Sequence, residues 1–308
     1  MAILVILVAS IIFSNLLSKT YNKEMISLND KINYTPVEKD KKELKGIEHA
    51  SEPEEDYYHY RSEAHINTII EDLTVPETEE AITISPSIAI VIDDLGYEIN
   101  VAEKMMNLDF PVSLSILPFL QYSEYIAEEG YKMNKEIMLH IPMEAKNSSA
   151  NPGPGAIKSN MSEEDIRQTV RNCFDSLPHI SGMNNHMGSK ITENEEIMQY
   201  ILGEMKAIDS ELFFVDSKTT QNSVACKIAR EMEINSMERT VFLDNEDDME
   251  YIKGQMEELK KMAYKKGKVI AIGHDRINTY YVLKRVVPEI IREGIKIVPV
   301  SVLFRDNL

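Results

Sequence analysis

The chain has 308 residues, of which 43% are hydrophobic and 27% are charged. These proportions suit a folded domain with one large core and exclude a chain that is disordered throughout. The formal net charge of -18 argues against nucleic acid or an anionic membrane surface as a partner, because both repel an acidic protein. Cys173 and Cys226 lack a CxxC spacing, so they indicate neither a zinc knuckle nor a redox motif.

The amino-terminal part divides into two predicted segments. Residues 1–17 are an apolar run at the lower length limit for a membrane span, which predicts a signal sequence or a membrane anchor. An anchor is favoured because the run lacks a positively charged start and a clear cleavage site, and a buried helix is the alternative. Residues 18–85 are acidic and show little periodicity, so we predict a poorly ordered linker.

From residue 86 to residue 308, short apolar runs alternate with helical patterns. Strands are predicted at 88–92, 112–117, 137–140, 213–215, 240–243, 269–272 and 295–300, with a weaker one at 182–184. Helices are predicted at 100–108, 123–135, 162–177, 193–208, 223–231, 249–266 and 279–293, and the one at 162 has a capping-box start. The alternation predicts one α/β domain with a parallel sheet or barrel. A Gly- and Pro-rich insertion at 143–160 is either a loop that lines a site or a plain connector.

Ionisable side chains recur where the predicted strands end. They are Asp93, Asp94, His140, His186, Asp216, Asp244 and His274. A lone histidine at such a place is usually a hydrogen-bonded core residue, but repetition at the same end of a sheet favours a common site. Carboxylates and imidazoles together suit a divalent metal such as Zn²⁺, which can activate water. The adjacent carboxylates of Asp93 and Asp94 also need a cation, a shared proton or water beside them.

Several segments, taken in order, are similar to one known family. The segments are "IAIVIDDLGY", "LHIPMEA", "GMNNHMGSKIT", "FFVDSKTT", "VFLDN", "AIGHDR" and "GIKIVPVS". They resemble the divergent polysaccharide deacetylases, a branch of the NodB-type carbohydrate esterases, over nearly all of residues 87–303. The resemblance implies a deformed (β/α) barrel of about seven parallel strands with a metal at its carboxyl-terminal end. It also implies an extracytoplasmic place in the cell envelope, in agreement with the apolar run at 1–17.

The same resemblance implies roles for individual residues. Asp93 matches the general base and Asp94 a metal ligand. The family's second motif, H-x-x-x-H, is "HIPME" here, so His140 matches while Glu144 stands at the second histidine. We therefore predict that His186 replaces the missing imidazole, giving a zinc site of Asp94, His140 and His186.

Further residues are expected around this metal. His274 matches the family's general acid, and Asp275 is predicted to orient it. Asn185, Asp216 and Asp244 are predicted to contact substrate. Glu144 is predicted either to contact substrate or to support or ligate the metal.

The expected function is metal-dependent removal of acetyl groups from an N-acetylated polysaccharide that contains N-acetylglucosamine. The alternative is a non-catalytic module that keeps the fold and binds glycan or protein in the envelope. Phosphoryl transfer by an acidic cluster is a weaker alternative, because adjacent aspartates on an extended strand point in opposite directions.

Overall fold

The structure, a computed structural model, describes residues 85–305. The predicted apolar segment at 1–17 and nearly all of the predicted linker at 18–85 lie outside the described residues. Within 85–305, no helix is long and apolar enough to cross a membrane.

Nine strands and eight helices alternate along the described residues. The strands are β1 (Ser87–Leu95), β2 (Ser113–Ile116), β3 (Glu136–Met143), β4 (Ile180–Met187), β5 (Phe213–Asp216), β6 (Ser236–Glu238), β7 (Val241–Phe242), β8 (Lys268–His274) and β9 (Lys296–Ile297). The helices are α1 (Asn100–Met106), α2 (Ser123–Lys132), α3 (Glu163–Asp175), α4 (Glu195–Ile208), α5 (Ala225–Glu231), α6 (Met249–Lys266), α7 (Ile277–Arg292) and α8 (Val300–Leu303). All strand pairs are parallel, so the predicted α/β class is confirmed.

The sheet curls into a deformed barrel. Its strand order is β6-β5-β4-β3-β2-β1-β8-β7, with β9 beside β1. The strands at the two ends of this order, β6 and β7, are separated by only Arg239 and Thr240 in the chain. One extended segment, residues 236–242, therefore pairs with β5 through its first half and with β8 through its second half. We call this segment the seam. Because the seam supplies two short strands, β6 and β7, the order contains eight strands and not the seven predicted.

Two predicted strands are corrected by the structure. The strand expected at 295–300 is wrong beyond Ile297, because α8 starts at Val300 after the N-cap Pro299. The strand expected at 240–243 is shortened to β7, and β6 was not predicted. Its residues Ser236–Glu238 are partly or fully exposed, so they carry no apolar alternation that would indicate a strand.

Both faces of the sheet are buried. Along β1, Ala89 and Val91 belong to the cluster inside the barrel, whereas Ile88, Ile90 and Ile92 pack in the larger cluster beneath the outer helices. This two-sided burial explains the continuous apolar run of β1. The inner cluster also contains Val300 and Leu303 of α8.

The short helix α8 closes the amino-terminal end of the barrel. The Glu136 carboxylate at the start of β3 accepts hydrogen bonds from the backbone N–H groups of Val300 (2.8 Å) and Ser301 (3.0 Å). It also accepts a hydrogen bond of 2.6 Å from the Ser113 hydroxyl at the start of β2. The opposite end of the barrel, where the strands finish, is left for the site.

Candidate metal and catalytic site

Four strands bring ionisable side chains to one pocket at their carboxyl ends. Asp93 and Asp94 come from β1, His140 from β3, His186 from β4 and His274 from β8. The pocket has a volume of about 260 Å³, and Asn185, Met187, Ser217, Thr219 and Phe242 complete its lining. The structure thus brings together five of the side chains singled out in the sequence.

The adjacent aspartates face the same pocket because β1 is irregular at this point. Asp94 has a φ of 64°, and the pairing of β1 with β2 shifts register between Ile92 and Leu95. A left-handed residue breaks the strict alternation of side chains along a strand, and aspartate tolerates that conformation better than most residues. The side chains of Asp93 and Asp94 therefore do not point to opposite faces, contrary to the expectation for adjacent aspartates on an extended strand.

Three ligand-type atoms meet at this end of the barrel. Asp94 Oδ1 lies 3.1 Å from His140 Nε2 and 2.8 Å from His186 Nδ1, and the two imidazole nitrogens are 3.2 Å apart. Zinc bonds of roughly 2.0–2.1 Å place neighbouring ligand atoms about 2.8–3.4 Å apart in octahedral or tetrahedral geometry. The triangle of Asp94, His140 and His186 therefore has a size and ligand types compatible with a divalent metal ion such as zinc.

Asn184 fixes the orientation of His140. Its side-chain oxygen faces His140 Nδ1 at 2.9 Å, and an amide oxygen only accepts, so Nδ1 carries a proton and the lone pair of Nε2 is available to a metal when the imidazole is neutral. Asp94 Oδ1, His140 Nε2 and His186 Nδ1 converge, so either protons shared among them or a divalent cation must lie between them. The residues present therefore fit a divalent metal.

The same asparagine also holds Asp93. Its amide nitrogen donates to Asp93 Oδ1 at 2.9 Å and to the Ser217 hydroxyl at 3.1 Å. Ser115 Oγ donates to the Asn184 oxygen at 2.5 Å, so every polar atom of this fully buried side chain is used. The sequence-based prediction named the neighbouring Asn185 and missed Asn184. The signal that could have identified Asn184 was a polar side chain in a strand whose neighbours are buried.

Burial and contacts separate the two aspartates electrostatically. Asp93 is 3% exposed, and burial raises its pKa despite the opposing effects of His140 and His274. Burial also raises the pKa of Asp94, but hydrogen bonds from His140 and His186 outweigh it and hold the value well below the usual range. Asp94 is thus the ionised ligand, and Asp93 is the more basic carboxylate.

His274 is held by Asp244 and faces the pocket with its other nitrogen. Nδ1 lies 2.8 Å from Asp244 Oδ1, and Nε2 lies 3.7 Å from Asp94 Oδ2. Asp244 Oδ2 accepts from the backbone N–H of His274 (2.8 Å) and from Thr279 Oγ1 (2.6 Å). Burial lowers the pKa of His274, but the bond to Asp244 outweighs burial, so the pKa is raised.

This contact corrects two expectations. Asp244 is fully buried and orients His274, whereas it was predicted to contact substrate. Asp275 was predicted to orient His274, yet within residues 85–305 it makes no hydrogen bond to that imidazole. Burial and the nearby Asp94 raise the pKa of Asp275 to about 7.

The remaining predicted residues fix loops around the pocket. Asn185 lines it, but its amide accepts from Ser217 N–H and donates to the Met187 carbonyl. Glu144 and Asp216 do not line the pocket, contrary to the expectation that they contact substrate.

Glu144 and Asp216 each tie a loop to a strand end. Glu144 accepts from Lys190 Nζ at 2.6 Å and from Ser159 N–H at 2.7 Å. Asp216 accepts from Ser223 Oγ at 2.6 Å and from Lys218 N–H at 2.8 Å. Glu144 is also absent from the ligand triangle, so His186, and not Glu144, completes that triangle with Asp94 and His140.

Comparison with known proteins agrees with this geometry. A profile described as divergent polysaccharide deacetylase matches residues 90–304. An uncharacterized protein of Haemophilus influenzae is 32% identical over 220 residues, which are 71% of this chain and 77% of that protein. The uncharacterized protein YibQ of Escherichia coli is 30% identical over 200 residues, which are 65% of this chain and 62% of YibQ. The chain therefore belongs to the divergent polysaccharide deacetylase family, as its motifs predicted.

A solved structure shares the fold. The uncharacterized protein ATU2773 from Agrobacterium tumefaciens C58 gives a TM-score of 0.67 at 21% sequence identity, covering 71% of this chain and 89% of that chain. The predicted deformed barrel with parallel strands and surrounding helices is thereby confirmed.

Proposed function

We propose that the protein is a metal-dependent hydrolase that removes acetyl groups from an N-acetylated polysaccharide of the cell envelope. One observation carries this proposal: the ligand triangle of Asp94, His140 and His186 lies beside the buried carboxylate of Asp93 and the Asp244-held imidazole of His274. A ligand set, a base and an acid on one pocket are the components of amide hydrolysis. Membership of the deacetylase family supports the same reaction class.

Asp94, His140 and His186 would hold the metal, with zinc as the expected ion. A bound divalent metal supplies polarisation of the acetyl carbonyl and of water. Two imidazoles and one carboxylate are a common ligand set for catalytic zinc.

The protein's own residues would move the protons. Water attacks the acetyl carbonyl carbon while Asp93 takes its proton, for which the raised pKa of Asp93 is suited. His274 then donates a proton to the sugar nitrogen as the carbon–nitrogen bond breaks. The products are acetate and a free amine, and Asn184 and Asp244 keep the base and the acid in place.

We further propose the substrate class and location. The glycan contains N-acetylglucosamine and is neutral, so it is not repelled by a chain of net charge -18. The reaction takes place outside the cytoplasm, with residues 1–17 acting as a signal sequence or a membrane anchor. Family membership and the apolar run support this location.

Acetate release from an N-acetylglucosamine oligomer by full-length, metal-loaded protein tests the proposal. Asp93→Asn keeps the shape of the side chain and removes the proton acceptor, so turnover should fall about 10²- to 10⁴-fold with the metal content unchanged. Asp175→Asn, the same change at the exposed end of α3, is the matched control. Equal turnover in the Asp93→Asn protein contradicts the role of Asp93. If the unaltered protein hydrolyses no N-acetylated glycan, the non-catalytic binding module becomes the better account.

A further inference from the structure

Two aromatic side chains are exposed at the same end of the barrel as the pocket. Tyr97, in the loop after β1, is 56% exposed, and Phe119, in the loop after β2, is 47% exposed. The two loops are joined by backbone hydrogen bonds from Leu117 N–H to the Leu95 carbonyl (2.9 Å) and from Tyr122 N–H to the Gly96 carbonyl (3.1 Å). The rings therefore belong to one surface beside the metal-ligating strand end.

A third loop, the Gly- and Pro-rich insertion after β3, supports both rings. Gly153 and Gly155 have φ values of 91° and 75°. A Cβ atom at Gly153 would lie 3.5 Å from Tyr97 Oη, and one at Gly155 would lie 2.7 Å from Phe119 Cε2. Glycine is thus required at position 155 for the loop to pack directly against the phenyl ring.

The backbone of Phe119 is itself unusual. Its φ is 62°, a conformation that is rare for a bulky aromatic residue and costs free energy. Burial does not repay that cost, since nearly half of the residue is exposed. Residues held in such conformations concentrate at functional sites, so an exposed and strained Phe119 calls for a role in binding.

We propose that Tyr97 and Phe119 form a stacking platform for the sugar rings next to the one whose acetyl group enters the pocket. The inference rests on the proposed function for the position of the reacting sugar. The faces of a pyranose ring carry C–H groups, which pack well on the electron-rich faces of aromatic rings. Tyr97 follows Asp94 by three residues, so their Cα atoms are at most about 11 Å apart, within reach of a neighbouring sugar.

The position of these rings separates them from Tyr131. Tyr131, near the end of α2, is 55% exposed and precedes the start of β3, at the opposite end of the barrel. It stacks on His179 with ring centroids 3.8 Å apart. Tyr131 is therefore a matched control: the same residue type with the same exposure, away from the pocket.

Binding of a pentamer of β-linked N-acetylglucosamine to the full-length, metal-loaded Asp93→Asn protein tests the platform without consuming the glycan. Tyr97→Ala and Phe119→Asn should each raise the dissociation constant about three- to tenfold, and together by about the product. Asparagine tolerates a positive φ, so Phe119→Asn removes the ring without forcing the loop to change. Tyr97→Phe, which keeps the ring, and Tyr131→Ala should leave the dissociation constant unchanged.

The outcomes of this experiment separate the platform from the reaction. An unchanged dissociation constant in the Tyr97→Ala/Phe119→Asn double variant overturns the platform, even if the protein releases acetate normally. The platform also fails if the parent Asp93→Asn protein does not bind the pentamer. A third outcome supports the platform and overturns the proposed reaction. In that outcome the Asp93→Asn protein binds the pentamer, the double variant loses this binding, and the protein with Asp93 intact releases no acetate. In an active protein, the double variant should raise KM for the pentamer and leave kcat and metal content unchanged.

Discussion

Each end of the barrel has a carboxylate at the start or the finish of a strand, and the two carboxylates differ in their hydrogen-bond partners. At the amino-terminal end, Glu136 accepts three hydrogen bonds from Ser113, Val300 and Ser301. At the carboxyl-terminal end, Asp94 faces the imidazole nitrogens of His140 and His186. One carboxylate is satisfied by donors of the fold, whereas the other faces imidazole nitrogens that can exchange their protons for a cation.

This difference indicates which end holds the chemistry. A carboxylate satisfied by backbone N–H groups stabilises the fold and leaves no lone pair aimed at a ligand. Converging lone pairs cost stability unless a cation or proton neutralises them, so they persist where function requires them. Changes at the two ends should therefore have separable effects on metal binding and on stability.

The largest effect is expected from removing a metal ligand. Asp94→Ala or His186→Ala should abolish stoichiometric metal binding, because each leaves only two of the three converging ligand atoms. Metal content of the purified protein, measured by mass spectrometry, checks this expectation. His179→Ala, a histidine change far from the pocket, should retain the metal. Full metal occupancy in both ligand variants would show that the assigned triangle is wrong.

A smaller effect is expected from Asp244→Asn, which acts through His274. Asp244 raises the pKa of His274, and His274 donates its proton during the proposed reaction. Activity should fall as pH rises through that pKa. Removing the carboxylate lowers the pKa, so the alkaline limb of the pH–rate profile should move to lower pH, with turnover at neutral pH reduced about 10- to 100-fold.

The control for this experiment is Asp216→Asn, another fully buried aspartate at a strand end. Because Asp216 does not contact His274, its replacement should leave the alkaline limb in place. An alkaline limb that stays in place in the Asp244→Asn protein would refute the assignment of His274 as the acid.

At the opposite end, Glu136→Gln should change stability alone. The glutamine amide presents donors where Val300 and Ser301 already donate, so the free energy of unfolding should fall by about 1–3 kcal/mol. Urea denaturation measures the loss, with the exposed Glu211→Gln as control. Metal content and acetate release should be unchanged; a loss of metal would mean that the two ends are coupled.

The smallest effect is expected from deleting the residues before Pro86. The acidic segment at 18–85 contains few apolar residues at a regular spacing, so it should contribute little to the fold. Protein beginning at Pro86, which keeps the hydrogen bond from Lys296 N–H to the Pro86 carbonyl, should melt cooperatively at the same temperature. Loss of cooperative melting would show that the deleted residues pack on the domain.

Local patterns in the sequence predicted most of the fold. The start of α3 is an example: Ser162 accepts from the backbone N–H of Asp165, as its capping box indicates. The strand β4 was predicted only weakly because Asn184, Asn185 and His186 are polar, although tertiary contacts bury the two asparagines. The first half of the seam, β6, was not predicted, because its pairing depends on partners distant in sequence and not on its own residues.

The site was predictable in its residue types but not in its contacts. Strand ends and family motifs identified Asp93, Asp94, His140, His186 and His274, which the structure places on one pocket. The orienting residues could not be assigned this way, since the roles of Asn184 and Asp244 depend on which side chain faces which ring. The positive φ of Asp94 could not be predicted either, because the local sequence does not distinguish this conformation from a continued extended strand.

The pairing of β1 with β8 also sets the order in which the site can assemble. Asp93 and His274 are register partners about 180 residues apart in the chain, so their meeting requires a much larger loop closure than the pairing of β1 to β4. The strands β1 to β4 pair in sequence order and carry Asp94, His140 and His186. The ligand triangle can therefore form before β8 joins β1, and His274 meets Asp93 only when the barrel closes. Metal capture would precede catalytic competence during folding.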